Sequence, residues 1–277
     1  MKLSAEQIKG RIRNIAKENN ADARVLIRLY MMERFLERAS VSAYKDNIIV
    51  KGGFLVTAMV GVNMRSTMDI DASIKNINLS MDDAKKMITD IASIELDDGI
   101  TFVVKDAVEI MDDADYPGIR IYLDALIDKL KTPFKVDVST GDVITPTEIQ
   151  YDYKLLLEER HITLWSYNIE TLLSEKIQTV LSRGVLNTRM RDFYDIYIIN
   201  LKYGNDIVYE VLSAALQSTC RKRGTLEILN DAEKILNDIF GDSVIRNRWE
   251  TYREKYDYAS EIEFDLVIQS MLMCLKH

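Results

Sequence analysis

Histidine and cysteine are nearly missing from this 277-residue chain, which has two of each, and prolines number three. Cys220 and Cys274 lie far apart with no CxxC spacing, which excludes a disulfide framework and a thiolate zinc site and fits a reducing compartment. The histidines are His161 and the terminal His277, so a serine or cysteine nucleophile would rest on His161, which has no motif around it. A structural role is expected for it. Chemistry must therefore run on carboxylates, lysine, arginine and hydroxyls. Long apolar runs are lacking too: stretches such as "FLVTAMVGV" are too short to span a bilayer, and the N-terminal "MKLSAEQIKGRI" has no apolar signal core. A cytoplasmic protein without a membrane partner is expected. Positive charge is also in deficit, 36 Lys and Arg against 44 Asp and Glu for a net charge of −8. That denies the chain a globally basic surface for nucleic acid and leaves only local basic patches.

What is present is a globular balance of 47% hydrophobic and 29% charged residues, in a chain long enough for one large domain or two modest ones. Two lobes are expected. "AEQIKGRIRNIAKEN" and "ADARVLIRLYMMERFLERA" carry apolar residues at helical spacing. "DNIIVKGG" reads as a strand ending in a glycine pair, "FLVTAMVGV" as an apolar helix and "TMDIDASI" as a strand. Ser80 and Asp83 bracket the start of a helix as a capping box with Asp in place of Glu. Three β-rich segments follow, "ITFVVKDAVEIM", "GIRIYLDALID" and "FKVDVST", separated by the turn signals "DYPG" and "KTP". From about residue 168 the pattern is helical, with breaks near Gly184, Gly204, Gly224 and Gly241. No internal repeat, low-complexity tract or obvious linker is visible.

In "RSTMDID" two acids sit one residue apart in an otherwise apolar run. Strand residues i and i+2 share a face, about 6.6 Å apart at roughly 3.3 Å per residue, so Asp69 and Asp71 project side by side. Two such carboxylates can cradle a pair of divalent ions about 3.5–4 Å apart, the arrangement of in-line phosphoryl or nucleotidyl transfer, with Mg²⁺ as the natural occupant. A solvated acidic face on an edge strand is the plainer explanation. Asp137, mid-strand in "FKVDVST", supplies a third acid, and Gly52 and Gly53 lie at a strand-to-helix junction where backbone can approach a phosphate.

That combination resembles the nucleotidyltransferase superfamily typified by DNA polymerase β. Its signature is a glycine pair or Gly-Ser on a strand-helix turn, a DxD flanked by apolar residues, and a third aspartate on an adjacent strand. Here fifteen residues separate the glycine pair from the DxD, a slightly long gap, and Gly53 stands where serine is common.

In "NIETLLSEKIQTVLSRG" the stripe of Leu172, Leu173, Ile177, Val180 and Leu181 contains Lys176, and Arg183 shares its face. Lys176 either snorkels out of an interface or is a cation aimed at a triphosphate. "NTRMRDFYDIYII" puts Asp192 and Asp195 on one helix side, within reach of Arg189 and Arg191. A structural salt-bridge network is one reading, and fixation of Lys176 by Asp192 is the other. Together with "VKGGFLV", "DYPGIRIYLDA" and "KVDVSTGDVITP", these segments look like the AbiEii family of nucleotidyltransferase toxins of type IV toxin–antitoxin and abortive-infection systems, across nearly the whole chain. Gly52, Gly53, Asp69 and Asp71 match its first motif. Lys176 to Arg183 match its K-L-x-A-x-x-x-R helix with Ile and Thr substituted, and Arg191 to Asp195 match its K-D-x-x-D motif with Arg for Lys.

The resemblance implies an α+β fold: a polymerase β-like mixed-sheet lobe with N-terminal helices over 1–165, then an all-α lobe over 166–277. It further implies that Asp69 and Asp71 bind Mg²⁺ in a two-metal site, with Asp137 as a further ligand or as base for an attacking hydroxyl. Lys176 and Arg183 would hold the triphosphate of a donor such as GTP or CTP, Asp192 would orient Lys176 with Asp195 behind it, and Arg65 and Ser66 would either touch phosphate or cap the strand turn. The implied acceptor is the 3′ end of transfer RNA, with "CRKRG" and "RNRWETYREK" as the candidate RNA surface. An antitoxin is expected to be encoded nearby, without needing to bind the toxin. Two other classes stay open: a regulatory protein that binds Mg-GTP without transfer, and a nucleotidyltransferase acting on a small molecule.

Overall fold

The computed structural model describes residues 3–77, 80–111 and 117–276. The chain forms two compact units: Met1–Asp142 with Ile149–Ser166, and Val143–Glu148 with Tyr167–His277. The first unit opens with helices α1 (Ala5–Glu18) and α2 (Ala23–Val41), then β1 (Ile48–Lys51), α3 (Gly52–Val60), β2 (Asp69–Ile74) and α4 (Met81–Ala92). It continues with β3 (Thr101–Met111), β4 (Pro117–Ile127), β5 (Leu130–Thr140), β6 (Ile149–Lys154) and β7 (His161–Ser166). The strands form a seven-stranded sheet in the order β3-β4-β5-β2-β1-β7-β6. The β2–β5 and β1–β7 pairs are parallel and the other pairs antiparallel, so the sheet is mixed as expected.

The helix starts expected from sequence form. Ser80 and Asp83 make the reciprocal capping box of α4, the Ser80 hydroxyl accepting from the Asp83 N–H at 3.1 Å. One turn signal misleads: "KTP" lies inside β5, whereas the β4–β5 hairpin turns at Asp128 and Lys129, closed by Ile127 opposite Leu130. Asp128 takes the left-handed conformation at φ 51°, which a short acidic side chain tolerates. Pro133 is accommodated because β5 pairs with β2 only from Lys135 onward, so on that flank its missing N–H forfeits no ladder bond. The "DYPG" signal falls partly outside the described residues. Strands β6 and β7 are additions to the elements read from sequence.

α2 packs on β5, β7, α1 and α4, and burial on all sides explains an unusual feature of "MMERFLERA": Glu33, Arg34, Glu37 and Arg38 are all buried. Each charge has a partner, as buried charges require. Arg38 clasps Asp98 with both terminal nitrogens at 2.8 and 2.9 Å, and Arg34 reaches Glu158 at 2.8 Å.

The second unit is helical: α5 (Ile169–Arg183), α6 (Met190–Tyr203), α7 (Tyr209–Lys222), α8 (Ala232–Gly241), α9 (Ser243–Lys255) and α10 (Phe264–Leu275). Its four glycine breaks sit at or just beyond the ends of α5, α6, α7 and α8, Gly184 and Gly224 in left-handed backbone. The 143–148 segment joins this unit through hydrogen bonds: Asn168, the N-cap of α5, donates to the Thr145 and Thr147 carbonyls at 2.8 and 2.9 Å. Cys220 and Cys274 are free and buried, and among the described residues no helix is long and apolar enough to cross a membrane.

Candidate active site

Strand alternation gives the first unit one charged sheet face. On β2, half-buried Asp69 and Asp71 alternate with Ile70 and Ala72, which are buried in the core. On β5, Lys135, Asp137 and Ser139 alternate with buried Phe134, Val136 and Val138, and on β4, Arg120 stands between buried Ile119 and Ile121. Register then sets these side chains abreast. Lys51, Asp71, Asp137 and Arg120 are directly opposed on β1, β2, β5 and β4, and Asp69 is opposed to Lys135 in the neighbouring row. The order of charge across the sheet is plus, minus, minus, plus.

Close pairs neutralise most of this face. Lys135 lies 3.2 Å from Asp69. Arg120 donates through Nε and Nη2 to the two oxygens of Asp137 at 2.8 and 2.6 Å. Lys51 donates to Asp142 at 2.7 Å, and the Ser139 hydroxyl to the same oxygen at 2.8 Å. Burial raises the proton affinity of Asp142, but the Lys51 charge and the Lys51, Ser139 and Ser73 hydrogen bonds outweigh it and hold the carboxyl at about 2.

Asp71 goes the other way. Burial first, then the charges of Asp69 and Asp137, push its carboxyl up to about 6, against the pull of the Gly53 N–H and Lys51. The glycine pair makes its position feasible. Gly52 has φ 60°, and a Cβ there would lie 2.3 Å from Asp71 Oδ2, while the Gly53 N–H donates to that oxygen at 3.1 Å. Gly53 also sits close to its neighbours: a Cβ there would meet Arg65 Nη2 at 3.0 Å and Thr67 Oγ1 at 3.1 Å. Arg65 is itself buried and donates to the Ser66 carbonyl, so it forms part of the wall behind the glycines, with Ser66 half-buried beside it.

Asp69 and Asp71 suit a hard cation, being two carboxylates on one half-buried face whose mutual repulsion a cation would relieve. Asp137 shares that face but has both oxygens engaged by Arg120. Among the described residues no group of three or more His, Cys, Asp or Glu side chains is arranged to hold an ion.

In the second unit Lys176 does not snorkel. It is 8% exposed in the middle of α5. Its ammonium donates to Asp192 at 3.1 Å and to Asp195 at 2.6 Å on α6, and Arg189 takes the other Asp192 oxygen at 2.8 Å. Lys176 and the two acids are buried, and Arg189, 47% exposed, balances the charge from the surface side. Arg191 turns instead to the Tyr256 hydroxyl at 3.1 Å, and Arg183 lies half-buried in the last turn of α5. The candidate RNA surface does not have the expected form. Trp249 and Tyr252 are core residues, 0% and 8% exposed, and Arg223, Arg246, Arg248 and Arg253 bond to Glu175, Asp265, the Asn187 carbonyl and Glu263.

Sequence reasoning passed over Arg120, Lys135, Lys51 and Asp142. Alternation in "GIRIYL" and "FKVDVS" marks Arg120 and Lys135 as facing with the acids, but which strands lie side by side is not written in those segments.

A mixed sheet carrying paired aspartates at a glycine turn, in a chain with a helical second unit, has the architecture of the nucleotidyltransferase fold. Solved structures share the fold. MenT4, a nucleotidyltransferase toxin from Mycobacterium tuberculosis, is 14% identical, with 95% of this chain and 93% of that chain covered and a TM-score of 0.55. JHP933 from Helicobacter pylori is 14% identical over 91% of this chain and 90% of its own, with a TM-score of 0.51. The profile of the family described as nucleotidyl transferase AbiEii toxin, type IV toxin–antitoxin system, matches residues 34–270. The chain belongs to that family. No curated protein is similar enough in sequence to match it.

Proposed function

We propose that this toxin transfers a nucleoside monophosphate from a nucleoside triphosphate, GTP or CTP, to RNA, with the 3′ end of transfer RNA as acceptor, and so blocks translation and growth. The observation that carries the reading is the Asp69–Asp71 pair seated against the Gly52-Gly53 turn, with Asp71 held by the Gly53 N–H at 3.1 Å. Asp69 and Asp71 would hold Mg²⁺, which when bound supplies a Lewis acid for the phosphate oxygens. The acceptor hydroxyl oxygen bonds to the α-phosphorus as the bond to the bridging oxygen breaks. Pyrophosphate leaves with that electron pair, and the hydroxyl proton is lost to water. Much of the protein's share of such a reaction is positioning and electrostatics.

For Lys176 and Arg183 the family motif supports a role at the phosphates, and Asp192 and Asp195 fix the Lys176 ammonium in one place. The protein acts in the cytoplasm, where nucleotides and transfer RNA are found, and an antitoxin encoded nearby counters it without binding it. The test is incubation of the purified chain with Mg²⁺, each labelled nucleoside triphosphate and total bacterial RNA, beside an Asp71→Ala control. Label in RNA that disappears in the variant supports the reading and names the donor. Mg-dependent GTP binding with no transfer overturns it in favour of a binding protein.

A further inference from the structure

The third strand aspartate is the residue whose surroundings fit its expected part least well. Asp137 faces Asp71 across the β2–β5 pair, where a metal-binding set would want it, yet Arg120 takes both its oxygens in a fork at 2.8 and 2.6 Å. A bidentate guanidinium–carboxylate pair is among the strongest charge-assisted contacts a protein makes. It also places a permanent positive charge against the carboxylate that a second cation would need. The pair is fixed by more than side-chain reach, since Arg120 and Asp137 are direct cross-strand partners.

The exposure of the two partners is unequal in an informative way. The Arg120 side chain is 29% exposed and the Asp137 side chain 15%, so the cation is the more open member and the acid the more sheltered. Arg120 spends Nε and one hydrogen of Nη2 on Asp137. A guanidinium has five N–H donors, so beyond Asp137 and the Tyr122 side chain, which also hydrogen-bonds to it, Arg120 keeps donors for a second oxyanion such as a phosphate. Held in one rotamer by the carboxylate, it loses less entropy on binding than a free arginine would.

Resting on the nucleotidyltransferase reading above, we propose that Asp137 is a positioning residue and not a metal ligand: it holds Arg120 on the charged sheet face, and Arg120 is the group that binds a substrate phosphate. Asp69 and Asp71 alone then supply the side-chain carboxylates for the cation. The phosphate belongs either to the nucleoside triphosphate or to the RNA acceptor, and the same chemistry serves both.

The test separates metal from phosphate without requiring turnover. Mn²⁺ binding is measured by electron paramagnetic resonance on the full chain for wild type, Asp71→Asn, Asp137→Asn and Arg120→Gln, each checked for folding by circular dichroism. Asp71→Asn should weaken Mn²⁺ binding tenfold or more, and Asp137→Asn should leave it within about twofold of wild type. Equal losses in Asp71→Asn and Asp137→Asn would make Asp137 a ligand and overturn the proposal. Equilibrium binding of a fluorescent nucleoside triphosphate and of labelled RNA, each with Mn²⁺ held saturating, then reads Arg120→Gln. A tenfold loss for one of the two supports the proposal and names which phosphate is held; no loss for either overturns the Arg120 assignment. If Asp137→Asn fails to fold because Arg120 is left without its partner, the double variant Arg120→Gln/Asp137→Asn removes both charges together and is read for Mn²⁺ in its place. Absence of RNA labelling by a wild type that gives these binding results counts against the transfer reading and leaves the role of Asp137 decided.

Discussion

The two units carry the same chemistry in opposite states. On the sheet face Asp69 and Lys135 are 27% and 30% exposed at 3.2 Å. In the helical unit Lys176, Asp192 and Asp195 are 9%, 7% and 0% exposed at 2.6–3.1 Å. A pair open to water has little to lose when a ligand replaces one partner. A buried set has no water to fall back on, so its members hold each other in place. The comparison teaches that counting charged residues in a motif says little until burial is known: the Asp69–Lys135 pair is exchangeable, and the Lys176 set is a lock.

The sharpest way to break that comparison is Asp195→Ala. It would take from the buried Lys176 ammonium the closer of its two acids on α6, and a loss of up to about 5 kcal/mol in stability is expected, read as a lowered melting temperature. A change no larger than that of a surface substitution would refute the lock. Asp71→Asn should do the reverse, costing about a thousandfold in transfer rate, on the order of 4 kcal/mol, while thermal stability stays level or rises because like charges are removed. A parallel fall in melting temperature would place Asp71 in the structural class.

Glu33 extends the contrast within the first unit. Burial first, opposed by Arg34 at 3.3 Å, pushes its carboxyl up to about 7 from 4.5. The folded state then binds the proton more tightly than the unfolded state, so stability should fall as pH rises from about 4.5 to about 7, by up to about 3 kcal/mol. Comparing melting temperatures across that window with those of Glu33→Gln checks the sign, because the variant should lose that part of the slope. The smallest expected effect is Gly52→Ala, about 2 kcal/mol from the left-handed backbone and the 2.3 Å approach to Asp71 Oδ2. Mn²⁺ affinity should fall with it, since Asp71 must move, and unchanged affinity would show that the carboxylate does not need its seat on the turn.

Much of the site was legible beforehand because it depends on short-range geometry. Alternation in "TMDIDASI" puts Asp69 and Asp71 on one face whatever lies beside the strand, and helical spacing brings Asp192 and Asp195 to one side of α6. Gly184 and Gly224 marked helix ends because left-handed backbone is a local demand. "KTP" misled because a proline is tolerated in a strand whose flank is locally unpaired, and flank occupancy is not local.

By itself, then, the sequence determined which side chains share a face, where helices stop and which chemistry is excluded. Tertiary structure decided which face meets which. The strand order β4-β5-β2-β1 brings Arg120, Asp137, Asp71 and Lys51 abreast from segments up to 86 positions apart, Lys51 to Asp137. A period of two fixes the side of the sheet a residue points to but carries no information about its neighbour across the ladder. Burial of Lys176 had the same origin: the stripe on α5 could equally have opened to water, and packing against α6 and α7 closed it.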